Sequence, residues 1–154
     1  MGMMRLAIVA ALACVAIACN SQPQHVDASS VHITRNPGLV VVPKLDRTIT
    51  DAAIATQLAN DIQNLPAFPN GAMNCPVDFG TTYSLAFSSG WSAVASVQGC
   101  QTVKLSDGRT LWAWNATKLF TDLGSALGLA QDELIPIPCP AALAGTRCYP
   151  QPSQ

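Results

Sequence analysis

Cysteine is the residue type whose spacing supports the most specific chemistry in this sequence. Four cysteines lie in the part of the chain that is long enough to fold as a domain: Cys75, Cys100, Cys139 and Cys148. An even number of thiols in an oxidising compartment predicts two disulfides, and four cysteines allow three pairings. Metal binding would need clustered ligands, and the chain has no Cys-x-x-Cys pair. We therefore interpret these cysteines as structural and expect no metal site.

Nucleophilic catalysis would need a histidine beside a serine or a cysteine. The chain has two histidines, His25 in a polar N-terminal stretch and His32 on a predicted strand. Asp78 and Asp107 are carboxylates that could in principle act as a pair, but nothing in the sequence places them at a catalytic separation. There is no phosphate-binding glycine loop and no dinucleotide fingerprint. We therefore expect no catalytic residues and no cofactor, and the prediction is a non-enzymatic protein.

Length and charge limit the choice of partners further. The 154 residues are enough for one domain, and only 11% of them are charged, with a formal net charge of −1. A chain without a basic cluster cannot neutralise many phosphates, so we expect no nucleic-acid partner. We expect a monomer.

Residues 1–18 have the pattern of a cleaved export signal. A positively charged start at Arg5 is followed by 13 mostly apolar residues, which is fewer than the roughly 20 that a membrane-spanning helix needs. The run ends in Ala16-Ile17-Ala18-Cys19, which resembles the lipobox of bacterial lipoprotein precursors. Cys14 is a competing candidate for the modified cysteine. A plain signal peptide cut near Ala18 is the other alternative.

The lipobox resemblance implies that Cys19 is lipidated and becomes the new N-terminus. Several acyl chains would hold the protein at a membrane, facing outside the cytoplasm, without a transmembrane segment. Residues 19–30 are polar apart from Val26 and predict a flexible tether. The remaining residues, 31–154, predict a single domain whose proline-rich tail is closed by a disulfide.

Hydrophobic periodicity predicts an α+β domain. Alternation predicts strands near 31–34 and 47–50, and an apolar stripe at Ile54, Leu58, Ile62 and Leu65 predicts a helix that begins at Thr50 or Asp51. Two hairpins follow, over 82–97 and 101–114. A second helix is predicted after residue 115, with Gly128 as its left-handed cap. We expect an antiparallel sheet of four to six strands with two helices on one face.

The first hairpin turns at Ser88-Ser89-Gly90, which places Cys75 and Cys100 nearly opposite each other beyond its open end. This geometry predicts the Cys75–Cys100 disulfide and leaves Cys139 to pair with Cys148 across eight residues.

In the second hairpin Asp107-Gly108 predicts a two-residue turn. The resulting register places Trp112 and Trp114 on the core face, together with Val103 and Leu105. We therefore interpret the tryptophans, including Trp91, as packing residues rather than as an exposed binding platform.

The opposite face of the predicted sheet carries small polar side chains. We predict that this face is a candidate interaction surface. Its residues are Thr82, Ser84, Ala86, Ser92, Val94 and Ser96. A face that simply meets water is the alternative.

About a third of the chain, from Thr48 to Val103, resembles a group of small exported proteins and lipoproteins of actinobacteria and related bacteria. The matching residues are Ile49-Thr50-Asp51, Leu65-Pro66, Asn74-Cys75-Pro76-Val77-Asp78-Phe79-Gly80, Tyr83, Leu85, Gly99-Cys100 and Val103. The resemblance implies export and the Cys75–Cys100 disulfide, and it implies no activity.

We expect a membrane-anchored binding module with an envelope protein or glycan as its partner. The alternative is a secreted inhibitor of an extracellular hydrolase, with 67–79 or 140–147 as its stapled loop.

Overall fold

One antiparallel sheet of six strands organises the chain. The computed structural model describes residues 27–136. Within these residues the strands and helices are β1 Val31–Asn36, β2 Leu45–Ile49, α1 Ala52–Gln63, β3 Thr82–Phe87, β4 Ser92–Ser96, β5 Thr102–Leu105, β6 Thr110–Trp112, α2 Thr117–Leu127 and α3 Gln131–Leu134. The strand order across the sheet is β2-β1-β3-β4-β5-β6. The predicted α+β class is confirmed, and α3 is an additional short helix that the sequence pattern did not predict.

Alternation along the strands separates a core face from a polar face. On β3, Tyr83, Leu85 and Phe87 are buried, while the residues between them are more exposed. Helices α1 and α2 close the core face, because Leu58 of α1 and Leu123 of α2 belong to the same buried cluster as the strand residues. Both helices therefore pack on one face of the sheet, as predicted.

Capping interactions stabilise the ends of both main helices. The Asp51 carboxylate accepts hydrogen bonds from the Ala53 and Ile54 amides, at 2.9 and 3.2 Å, which satisfies free donors in the first turn of α1. Helix α2 ends at Gly128, whose φ of 65° makes it the predicted left-handed cap. The Arg47 guanidinium donates to the Leu127 carbonyl at 2.5 Å, where a positive charge complements the helix dipole.

The register of the second hairpin differs from the prediction. The Leu105 amide donates to the Arg109 carbonyl at 2.9 Å, so the connection has three residues, 106–108, and Gly108 adopts a φ of 90°. Thr102 therefore pairs with Trp112, and Val103 pairs with Leu111. A shift of one residue moves every side chain to the other face.

As a consequence, the prediction that Trp112 and Trp114 share the core face with Val103 and Leu105 was wrong. Leu111 and Ala113 are the buried residues in this part of the chain, whereas Trp112 is half-buried on the polar face and Trp114 is exposed. Trp91 does pack as predicted. It contacts the core and stacks on Phe87, with ring centroids 4.4 Å apart.

The predicted Cys75–Cys100 disulfide is present, with its two Cα atoms 4.9 Å apart. The predictions for Cys19, Cys139 and Cys148 fall outside the described residues. Between residues 27 and 136, no helix is long and apolar enough to cross a bilayer.

The last residues of the predicted tether belong to the folded domain. Ala28 is buried, and its amide and carbonyl groups both hydrogen-bond the Thr56 hydroxyl of α1 at 3.1 Å. The Ser29 and Ser30 amides donate to the Ser88 hydroxyl, in the turn between β3 and β4. The chain therefore enters the domain at the end of the sheet where β1 begins.

Candidate functional site

The opposite end of the sheet, where β1 ends, is formed by connections rather than by strands. We call it the loop end, and it consists of residues 37–44, 75–81, 97–101 and 113–116. Of the six large apolar side chains that are exposed between residues 27 and 136, four lie here: Leu39, Val41, Val77 and Trp114. A fifth, Met73, lies two residues before the disulfide-bonded Cys75. A cluster of exposed apolar side chains is typical of an interaction surface.

Two of these connections are locked together by their backbones. Gly38, at a φ of 62°, packs so closely on Phe79 and Gly80 that a Cβ atom would overlap their backbone atoms. The Leu39 amide donates to the Phe79 carbonyl at 2.7 Å, and the Thr81 hydroxyl donates to the Pro37 carbonyl at 3.1 Å. The apolar tip of loop 37–44, with Leu39 81% and Val41 fully exposed, is therefore held in place rather than collapsed onto the core.

A cleft of about 500 Å³ lies beside the disulfide. Its walls include Val77, Phe79, Gln101, Trp114 and Asn115, and none of the lining side chains between residues 27 and 136 is ionisable. The volume falls within the range that is typical of ligand-binding clefts. An uncharged, partly aromatic wall suits an apolar ligand or polypeptide segment, with the Asn115 amide side chain available for hydrogen bonds.

The backbone around the cleft adopts unusual conformations. Gln101 and Asn115 have φ values of 49° and 63°, and they are the non-glycine residues with positive φ in the described chain. Gly99, at 60°, lies in the same wall. Left-handed conformations cost energy in L-residues, and their concentration at one place is a common property of functional sites.

One buried amide side chain supports the floor of the cleft. Gln98 is 8% exposed, its Oε1 accepts from the Phe79 amide at 3.2 Å, and its Nε2 donates to the Pro136 carbonyl. Gln98 therefore ties together the segment after Cys75, the β4–β5 connection and the segment that follows α3. The Gln101 side chain is also engaged, because its Nε2 donates to the Val97 carbonyl at 3.3 Å. The Asn115 side chain makes no hydrogen bond with a described residue.

The residues of the predicted interaction face lie on one side of the β3–β4 hairpin. Thr82 pairs with Ser96, Ser84 with Val94 and Ala86 with Ser92, so these residues share the polar face of the sheet. The Ser96 hydroxyl is occupied, donating to the Gln98 carbonyl at 3.1 Å and to Asp78 at 3.4 Å. Val94, at 40% exposure, is the one large apolar side chain of this set that is exposed.

The described residues that were considered for catalysis, His32, Asp78 and Asp107, lie at different places around the sheet. His32 Nε2 lies 2.7 Å from Asp46 Oδ1 on the exposed polar face. Asp78 lies at the loop end, where its carboxylate accepts from the Gly80 amide, whereas Asp107 is in the β5–β6 turn at the other end. Hydrogen bonds from the backbone and side chain of Arg109 hold the pKa of Asp107 below its usual value. Within residues 27–136, no group of three or more His, Cys, Asp or Glu side chains could hold a metal ion.

An ionic cluster between α1 and α2 was not predicted. Lys118 Nζ donates to Asp61 at 2.6 Å and to Asp122 at 2.7 Å, and Gln57 donates to Asp122 at 2.6 Å. Burial raises the pKa of Asp61, whose side chain is only 10% exposed, while the bond from Lys118 lowers the pKa of Asp122. Spacing within one helix predicts the Lys118–Asp122 pair, but the contact with Asp61 depends on the packing of the two helices.

The fold and its loop end define a small α+β protein whose surface features suit binding. Comparison with known proteins adds no relative, because no protein-family model, no curated protein and no solved structure matches the chain.

Proposed function

We propose that this protein is an exported, lipid-anchored and non-enzymatic binding module that presents its loop end to a partner protein of the bacterial envelope. The observation that carries the proposal is the set of four exposed apolar side chains at the loop end, two of which, Val77 and Trp114, line a cleft in which no described lining residue is ionisable. Aromatic side chains and methionine are enriched, and charged residues depleted, in the centres of protein–protein interfaces.

The rigidity of the loop end supports the same function. The disulfide, the Gly38 contact with Phe79 and Gly80, and the Gln98 hydrogen bonds restrain three connections at once. A surface that is already ordered loses little conformational entropy when a partner binds. Exposed apolar side chains on such a surface can therefore contribute most of their burial energy to binding.

The position of the proposed anchor favours a protein partner over the membrane itself. Between Cys19 and Asp27 there are seven residues, which can extend over at most about 25 Å. They would join the domain at the end where β1 begins, and the six residues of β1 add about 20 Å before the loop end is reached. With the tether attached at the opposite end, the loop end would be the part of the domain farthest from the point of attachment, where a partner protein can reach it.

The experiment compares capture of envelope proteins by three forms of the mature chain, immobilised through its N-terminus. The forms are the wild type, the double variant Leu39→Ser and Val41→Ser, and the control Val94→Ser on the polar face. Burying an apolar side chain of this size contributes about 1.5 to 3 kcal/mol. We therefore expect the double variant to retain at least about tenfold less of the specific partner than the other two forms, by quantitative mass spectrometry.

The control decides between the two candidate surfaces. Leu39, Val41 and Val94 are all exposed apolar residues, so the three substitutions change the same kind of surface. If Val94→Ser abolished capture and the double variant did not, the partner would bind the face of Thr82, Ser84, Ser92 and Ser96, and the loop-end proposal would be wrong.

Inhibition of an extracellular hydrolase is the second candidate function. The observation that favours it is a run of nine consecutive exposed residues, 70–78, that contains the disulfide-bonded Cys75. A stapled, exposed segment is preorganised for an extended binding groove. The capture experiment separates the two functions: an inhibitor would recover a hydrolase and abolish its activity at a one-to-one ratio.

A further inference from the structure

The cleft at the loop end lies where the chain leaves the described residues. Ile135 lines the cleft, and the carbonyl group of the buried Pro136 accepts a hydrogen bond from Gln98, which lines it too. A segment of 18 residues, 137–154, follows Pro136 in the sequence.

The composition of the segment matches the chemistry of the cleft. Its first eight residues are Ile-Pro-Cys-Pro-Ala-Ala-Leu-Ala and carry no charged side chain, and Arg147 is the only charged side chain in the whole segment. The described residues that line the cleft include no ionisable side chain, and Val77 and Trp114 are 71% and 39% exposed. Apolar side chains from the segment would remove this surface from water without burying a charge.

We propose that residues 137–144 dock in the cleft of the same molecule, with Ile137 and Leu143 against the wall formed by Val77 and Trp114. A segment attached at the rim reaches the cleft at a high effective concentration, which favours it over a free peptide of the same sequence. The docking is intramolecular and does not depend on whether a partner protein binds the loop end.

The amide side chains of the cleft suit a segment of this kind. Pro138 and Pro140 have no amide protons, so the backbone of this segment has fewer donors than carbonyl acceptors. Asn115, whose side chain makes no hydrogen bond with a described residue, can donate to such a carbonyl group. The left-handed backbone at Gln101 and Asn115 shapes the wall on which these groups lie.

The test is nuclear magnetic resonance on residues 20–154, which are the mature chain without the lipidated cysteine. Nuclear Overhauser contacts are expected between the Trp114 indole and the methyl groups of Ile137 and Leu143, with the indole resonance assigned through Trp114→Phe. In the double variant Ile137→Ser and Leu143→Ser, the contacts should be lost and the Trp114 indole resonance should move. The variant Tyr149→Ser, in the same segment but beyond residue 144, should leave the resonance in place.

Three results would overturn the docking. The first is a wild-type chain that shows no contacts between residues 137–154 and the cleft although it is folded. Well-dispersed methyl resonances of the core residues Leu58 and Leu123 would show that it is folded. The second is a Trp114 indole resonance that is identical in the double variant. The third is contacts between differently labelled molecules that disappear on dilution, which would assign the cleft to a segment of a second copy. None of these results would alter the outcome of the capture experiment.

Discussion

Gly38 shows how a single residue positions the proposed binding surface. Its φ of 62° is in the left-handed region, and its Cα lies against the backbone of Phe79 and Gly80. Any side chain here would strain the backbone and separate two connections that carry Leu39 and Val77. The same position therefore serves both stability and the arrangement of the exposed apolar residues.

We expect Gly38→Ala to lower the free energy of unfolding by about 2 to 4 kcal/mol, because backbone strain and overlap with Phe79 both act. Gly90→Ala is the matched control, since Gly90 also has a positive φ, of 91°, but no atom within 4 Å of an added Cβ. Strain alone should cost the control about 1 kcal/mol. Urea unfolding of the two variants measures the difference. Equal decreases in the free energy of unfolding would show that overlap with Phe79 and Gly80 does not contribute to the destabilisation.

At the scale of the elements, the packing of α1 on α2 brings two carboxylates to one lysine. Asp61 and Asp122 both accept from Lys118, and one oxygen of the mostly buried Asp61 has no hydrogen-bond partner among residues 27–136. Burial disfavours the charged form of Asp61, so its pKa rises above the ordinary value of 3.8. The bond from Lys118 favours the charged form of Asp122, so its pKa falls.

These opposite shifts give opposite dependences of stability on pH. The folded state binds the Asp61 proton more tightly than the unfolded chain does, so this group stabilises the protein below its unfolded pKa and loses that contribution as the pH rises through its folded pKa. Asp122 stabilises the protein above its unfolded pKa and loses that contribution as the pH falls through its folded pKa.

We therefore expect the stability of Asp61→Asn relative to wild type to increase as the pH rises from about 4 to about 7. The amide can still accept from Lys118, and it removes the cost of ionising a buried carboxyl group. Asp122→Asn should change in the opposite direction, because it removes a stabilising charge. Thermal unfolding at several pH values measures both variants, and parallel pH profiles would contradict the assigned pKa directions.

At the scale of the whole molecule, the two ends of the sheet have different environments. The N-terminal segment joins the domain at the end where β1 begins, through the contacts of Ala28 with Thr56 and of Ser29 and Ser30 with Ser88. Four of the six exposed large apolar side chains between residues 27 and 136, the disulfide and the cleft are at the other end. A lipid at Cys19 would thus hold one end of the domain and leave the other accessible.

Replacing the anchoring cysteine tests this arrangement. We expect Cys19→Ser to move most of the protein from the membrane fraction to the soluble exported fraction, because diacylation needs the thiol and a chain without acyl groups binds membranes weakly. Cys14→Ser is the matched control, since Cys14 is the competing candidate five residues earlier. Intact mass and fractionation measure both variants, and release by Cys14→Ser alone would move the anchor to Cys14.

Local rules in the sequence were sufficient for the class of fold and for most of its elements. Periodicity predicted both main helices, Asp51 and Gly128 predicted their ends, and alternation predicted the core face of the first hairpin. The Cys75–Cys100 pairing followed from that hairpin, because its symmetric turn set the two cysteines opposite each other. Each of these features depends on residues that are close in sequence or joined by one turn.

The register of the second hairpin and the contacts between distant segments depended on tertiary structure. One additional residue in the β5–β6 turn reversed the faces of Trp112 and Leu111, since side chains alternate with a period of two. Contacts between distant segments set the Gly38 approach to Phe79, the cleft beside Trp114 and the meeting of Asp61 with Lys118. The sequence alone therefore determined the α+β elements and one disulfide, whereas the loop end as a surface exists only because packing brings together residues that are far apart in the chain.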